Sequence, residues 1–127
     1  MGNPRILSVG QCAFDHDAIR RRLKQAVGAE VRGAGTFAEA LQELRAEHFD
    51  LVLVNRVSDE DGAPGLDLLR ALKADPALAT LPAMLVSNYE AAQNEAVGLG
   101  AFRGFGKSDL GTGRELAALR QVFRDVP

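Results

Sequence analysis

Three short apolar runs constrain this chain more than anything else in it: Ile6-Leu7-Ser8-Val9, Leu51-Val52-Leu53-Val54 and Ala83-Met84-Leu85-Val86. Each is too short for a helix and apolar on both faces, as a strand must be when helices cover both sides of a parallel sheet. Two weaker runs, Glu30-Val31-Arg32 and Ala101-Phe102-Arg103-Gly104-Phe105, carry charge or glycine and read as edge strands. Helical stripes lie between them. Ile19, Leu23 and Val27, then Phe37, Leu41 and Leu44, then Leu66, Leu69 and Leu72, and finally Leu116, Leu119 and Phe123 each mark one buried face. A fourth helix, Tyr89 to Gly98, has only a thin stripe (Ala92, Ala96, Leu99) and is expected to dock least firmly. Asp15 and Thr36 stand at expected N-caps; Thr36 with Glu39, Ser87 with Glu90 and Thr112 with Glu115 have capping-box spacing. Pro76 and Pro82 end the third helix before the fourth strand. Strand followed by helix five times over predicts an open α/β sandwich with right-handed crossovers.

The 127 residues predict one domain, 1–127, and 46% hydrophobic residues are enough to build its core. A formal charge of −2 gives no electrostatic case for nucleic acid or a membrane surface, and no apolar run approaches the ~18 residues of a membrane span. The expected partners are proteins or small molecules. The single cysteine, Cys12, can form neither an intrachain disulfide nor a cysteine-rich zinc site, and the opening Met1-Gly2-Asn3-Pro4-Arg5 lacks a charged-then-apolar signal segment. A cytoplasmic location is expected, with no cofactor and no bound metal.

Open α/β sheets bind ligands at the carboxyl ends of their strands. Those ends carry Gly10-Gln11-Cys12, Asn55, Ser87-Asn88 and Lys107. With the flanking segments Asp50 to Asn55, Gly65 to Leu72, Leu81 to Ser87 and Gly100 to Lys107, the chain resembles, over nearly its whole length, the receiver domain of two-component response regulators. The resemblance implies a flavodoxin-like α/β fold, a five-stranded parallel sheet in order 2-1-3-4-5 with five helices. It also implies a bacterial signalling role, with a kinase, an effector or a second copy docking on helix four, strand five and helix five.

The resemblance assigns phosphoacceptor aspartate to position 55 and Mg²⁺-holding acids to positions 10 and 11, where this chain has Asn55, Gly10 and Gln11. An amide is a poor nucleophile, and a hard divalent cation prefers carboxylates, so both functions are expected to be missing. Ser87 and Lys107 match the hydroxyl and lysine that would hold a phosphoryl group; Gly104 replaces the aromatic that would switch rotamer, and Ser108 stands where proline is common. Phe105 should face the other side of its strand. The module is therefore expected to be a phosphorylation-independent protein-interaction domain, not an enzyme.

Several alternatives stay open. Against the favoured reading as a replaced acceptor, Asn55 can be a polar strand end of an unrelated α/β protein, and Ser87 and Lys107 can be kept for structure alone. The loop Arg56 to Pro64 is about two residues longer than usual and acidic, so Asp59 or Asp61 could pair with Lys107 or even serve as a phosphoacceptor. Gly106-Lys107-Ser108 loosely matches a nucleotide phosphate loop, but Asp109 to Gly113 intervenes before the next helix. Cys12 stands where a helix dipole can favour a thiolate, and Arg20-Arg21-Arg22 with Lys24 reads as a solvated helix face or an acidic partner's docking patch.

Overall fold

The computed structural model describes residues 3–126; Met1, Gly2 and Pro127, which the expected domain 1–127 includes, lie outside the described residues. Strands β1 (Arg5–Val9), β2 (Glu30–Ala34), β3 (Leu51–Asn55), β4 (Ala83–Val86) and β5 (Phe102–Phe105) alternate with helices α1 (Ala13–Val27), α2 (Phe37–Ala46), α3 (Gly65–Ala74), α4 (Glu90–Gly98) and α5 (Arg114–Leu119). The sheet is parallel in the order β2-β1-β3-β4-β5, so the flavodoxin-like arrangement is present.

Both faces of the central strands are buried, and alternation divides them into two cores. Leu7, Val9, Val52, Val54 and Leu85 point toward α2, α3 and α4, where Leu44, Leu68, Leu69 and Leu72 meet them. Ile6, Leu51, Leu53, Met84 and Val86 point toward α1 and α5, against Ile19, Leu23 and Leu119. Each fully buried side chain of this size contributes roughly 1.5–3 kcal/mol relative to exposure, so the central strands hold the layers together.

Helix ends depart from expectation in instructive ways. Thr36 caps α2 as predicted, its hydroxyl accepting from Glu39 N–H at 3.2 Å. The cap of α1 is Cys12, whose Sγ accepts from the N–H of Asp15 at 3.4 Å, so Asp15 lies inside the first turn with its carboxylate free to reach elsewhere. At α4 the N-cap is Tyr89, and Ser87 Oγ accepts from Tyr89 N–H at 3.0 Å instead of closing a box with Glu90, which pairs with Arg103. Thr112 precedes the N-cap of α5, Gly113. Glu115 there accepts from the N–H groups of Gly111 and Gly113 and from Arg22 Nε, its side chain fully buried. Burial pushes that carboxyl upward, but these three donors outweigh it and leave it below the usual carboxylate range. Arg22 thus joins α1 to α5 within one helical layer and is not part of a solvated face, while Arg20 and Arg21 share Asp17. Helix α5 ends at Leu119, and Phe123 of the expected stripe packs onto the core from the turns that follow.

Strand β5 carries a bulge. Met84 pairs with Phe102 and Val86 with Phe105, so one residue more lies on β5 than on β4 between the pairs. The extra residue swings Phe105 into the α1–α5 core while Phe102 stays partly exposed. Gly104 sits within the bulge, its N–H donating to Gln93 Oε1 at 2.9 Å, and a Cβ there would overlap the carbonyl oxygen of Leu85. Gly104→Ala is expected to destabilise the domain by about 1–3 kcal/mol through overpacking, measured by urea denaturation. An aromatic residue there should cost no less.

Candidate functional site

A cleft of about 420 Å³ opens at the carboxyl ends of β3, β4 and β5, lined by Asn55, Arg56, Val57, Val86, Ser87, Asn88, Tyr89 and Lys107. Asn55, Ser87 and Lys107, far apart in sequence, come together here; Gly10 and Gln11 lie outside the lining.

Asn55 ends β3 with its amide turned onto backbone. Nδ2 donates to the carbonyl of Gly10 at 3.0 Å and to that of Val57 at 2.8 Å, tying the end of β1 to the loop after β3. A carboxylate could make neither bond, since it has no hydrogen to give. Gly10 has φ +76, a left-handed conformation costly for other residues, and a Cβ there would lie 3.1 Å from Cα of Ser58. An acid at position 10 is therefore opposed by backbone and by packing alike. Gln11 has both amide atoms enclosed without a hydrogen-bond partner among the described residues. A glycine and two amides do not fit a hard divalent cation, whose ligands are carboxylate-rich, and among the described residues no three His, Cys, Asp or Glu side chains are grouped to hold a metal.

Lys107 has an acid, but not the expected one. Its Nζ lies 2.7 Å from Oδ2 of Asp15, in the first turn of α1. The acidic loop closes on itself instead: Val57 bridges Pro64, Ser58 N–H donates to Ala63 O, and Gly62 N–H donates to Ser58 O. Asp61 Oδ1 accepts from Ala63 N–H at 3.1 Å, and the N–H of Asp59 is bound to Gly10 O, so this turn keeps both acids off Lys107. The hydrogen bond from Lys107 holds the Asp15 carboxyl below its ordinary value, against a smaller opposing effect of burial, with help from the contact with Cys12.

The other walls are latched. Asn88 Oδ1 accepts from both Oγ and N–H of Ser108, at 2.9 and 3.3 Å, and Gly106 N–H donates to Asp109 Oδ2 at 2.8 Å. A phosphate loop needs those backbone N–H groups pointing at its ligand; here side chains occupy them, and Lys107–Asp109 form a single 3₁₀ turn. The bonds at Gly106 and Ser108 weigh against the nucleotide reading of Gly106-Lys107-Ser108. Two features of the site escape sequence reasoning. Arg56 lies with its guanidinium carbon 4.8 Å from the centroid of the Tyr89 ring, a pairing that adjacency in sequence does not announce. Gln93, buried on α4, donates from Nε2 to the carbonyls of Leu85 and Ser87 while its Oε1 takes Gly104 N–H. Its only sequence signal was a polar residue beside the thin alanine stripe.

No family model matches the chain. Solved structures do. The chemotaxis protein CheY4 of Vibrio cholerae superposes with a TM-score of 0.78 at 18% identity, over 96% of this chain and all (100%) of that one. A response regulator receiver protein from Pseudomonas putida gives 0.77 at 22% identity, over 95% and 98%. The non-phosphorylated receiver domain of HemR from Leptospira biflexa gives 0.73 at 26% identity, over 94% and 93%. The fold is that of response-regulator receiver domains.

Two consequences are measurable. Asn55→Asp removes two donors and sets a carboxylate against two carbonyls, so it should cost about 1–3 kcal/mol at neutral pH. Those carbonyls raise the folded pKa of the new acid above its unfolded value. The penalty is therefore fully present above the folded pKa and shrinks as pH falls through it, because the protonated form can donate once; denaturation against wild type at matched pH tests this. For Asp15 the sign is opposite. Its lowered folded pKa gives stability that is present above the ordinary carboxylate value and lost as pH falls toward the folded one. Asp15→Asn should thus be less stable than wild type by up to about 1 kcal/mol at neutral pH, with the gap closing in acid.

Proposed function

We propose that this chain is a receiver-like signalling domain of a bacterial two-component pathway that takes no phosphoryl group at position 55 and acts in the cytoplasm by binding another protein. The observation that carries this reading is the pair of hydrogen bonds from Asn55 Nδ2 to Gly10 O and Val57 O: the amide at the acceptor position serves the backbone and faces no incoming phosphorus. Gly10 and Gln11 supply no acid for Mg²⁺, Lys107 is already paired with Asp15, and Gly104 offers no ring to switch. The fold likeness supports the signalling class, and in this reading the domain is a binding module and not an enzyme. The docking face is α4–β5–α5, where Val97 and Phe102 are partly exposed beside the pair Arg103–Glu90; a kinase, an effector or a second copy is the partner.

Incubation with acetyl phosphate and Mg²⁺ followed by intact-mass measurement is expected to give no phosphorylated species. Beryllofluoride with Mg²⁺ is expected to leave the NMR signals of Ser87 and Lys107 in place. A stable mass gain mapping to Asp59 or Asp61 would replace this reading with a relocated phosphoacceptor.

A further inference from the structure

We infer that the docking of α1 on the edge strand β2 is a pH-sensitive joint, closed while the His16 imidazole is neutral and loosened when the ring takes up a second proton. Strand β2 ends the sheet and pairs with β1 alone. Its residues Val31 and Gly33 face α1. Val31 is buried there in one core with Ile19 and Leu23. Gly33 has no side chain, and the His16 ring takes the place of one: a Cβ on Gly33 would lie 3.0 to 3.3 Å from Cε1, Nε2 and Nδ1 of that ring. The imidazole therefore rests directly on the β2 backbone, filling the corner that the glycine leaves.

That corner is built for a neutral ring. Nδ1 is enclosed and has no hydrogen-bond partner among the described residues. Gly33 pairs in register with Ser8 of β1, whose buried hydroxyl is uncharged and likewise unbonded. On α1 the adjacent carboxylate is Asp17, but Arg20 at 2.6 Å and Arg21 at 2.8 Å already hold it, and Arg20 brings its own charge one turn from the ring. Past the end of β2, Glu39 accepts from the N–H of Gly35, and Glu60 of the loop after β3 reaches over the same glycine. Burial holds the His16 pKa below the ordinary histidine value, with Arg20 acting in the same direction and Asp17 against both. With the folded value depressed, the stability that neutral His16 contributes is fully present above the unfolded value, about 6.5, and is lost as pH falls through the folded one. A charged imidazole gains by leaving the corner for water, and the contact it gives up is the one between α1 and β2. The response is thus local to those two elements.

The test is an NMR pH titration of the whole chain combined with amide hydrogen exchange. His48→Gln assigns the signals of the two imidazoles. His16 is expected to titrate below the ordinary value of about 6.5. Exchange at the protected amides of α1 and β2, corrected for its intrinsic pH dependence, is expected to rise about tenfold relative to β4 between about pH 7.5 and about pH 5, the scale of one buried donor left unpaired. His16→Phe keeps a planar ring without a titrating group and should abolish that rise. Gly33→Ala retains the histidine but displaces it, so His16 should then titrate at the ordinary value; this variant decides the matter should His16→Phe not fold. Titration of wild-type His16 at or above the ordinary value, exchange in α1 and β2 that tracks β4 across the range, or a rise that persists in His16→Phe overturns the proposal.

Discussion

A sheet buried on both faces leaves its central strands little room for polar side chains along their length, the small hydroxyl of Ser8 in β1 being the one buried there. Leu7, Val9, Val52, Val54 and Leu85 fill one layer and Ile6, Leu51, Leu53, Met84 and Val86 the other, so chemistry is confined to the strand ends. Everything distinctive about the molecule follows from what stands there. At the end of β3 a single amide holds β1 and the next loop by two hydrogen bonds, and the left-handed turn at Gly10 brings its carbonyl to that amide. Position 10 and position 55 therefore form one unit: the glycine conformation presents the acceptor and the asparagine supplies the donor. Restoring an acid at either place works against the other.

Charge at the site has been redistributed. The lysine at the end of β5 finds its carboxylate on α1, one turn into the helix, because Cys12 takes the capping position and leaves Asp15 unengaged at the backbone. The acidic loop after β3 spends its polar groups on its own turn. What remains at the mouth is an arginine stacked on a tyrosine, next to the asparagine that stands where the resemblance would place the phosphoacceptor acid.

The layer architecture was legible in the sequence because the central runs are apolar at every position but Ser8 and four of the five helices carry clean stripes. The strand-end residues could be located for the same reason: a strand's end is fixed once its apolar run is known. What was not legible depended on distances between elements. That Lys107 reaches Asp15 and not Asp59 or Asp61 is decided by the local closure of the Val57–Pro64 turn, which no spacing rule reports. The bulge in β5 was hidden too, because alternation counts residues as if every one were paired. Capping-box spacing predicted one helix start well and two poorly, since at α4 and α5 the acids had better partners in Arg103, Arg22 and the loop N–H groups.

Gln93 gives α4 a mechanical character that its alanine-rich surface conceals. Three hydrogen bonds from one buried side chain fasten the helix to the end of β4 and to the bulge of β5. Sliding or rotating the helix would strand those buried groups at about 1–3 kcal/mol each, more than a weak contact at the cleft can return. Helix and edge strand must move together or not at all. Fastened in this way, α4 and β5 form one mechanical unit at the edge of the sheet, and a load placed on either is carried by both.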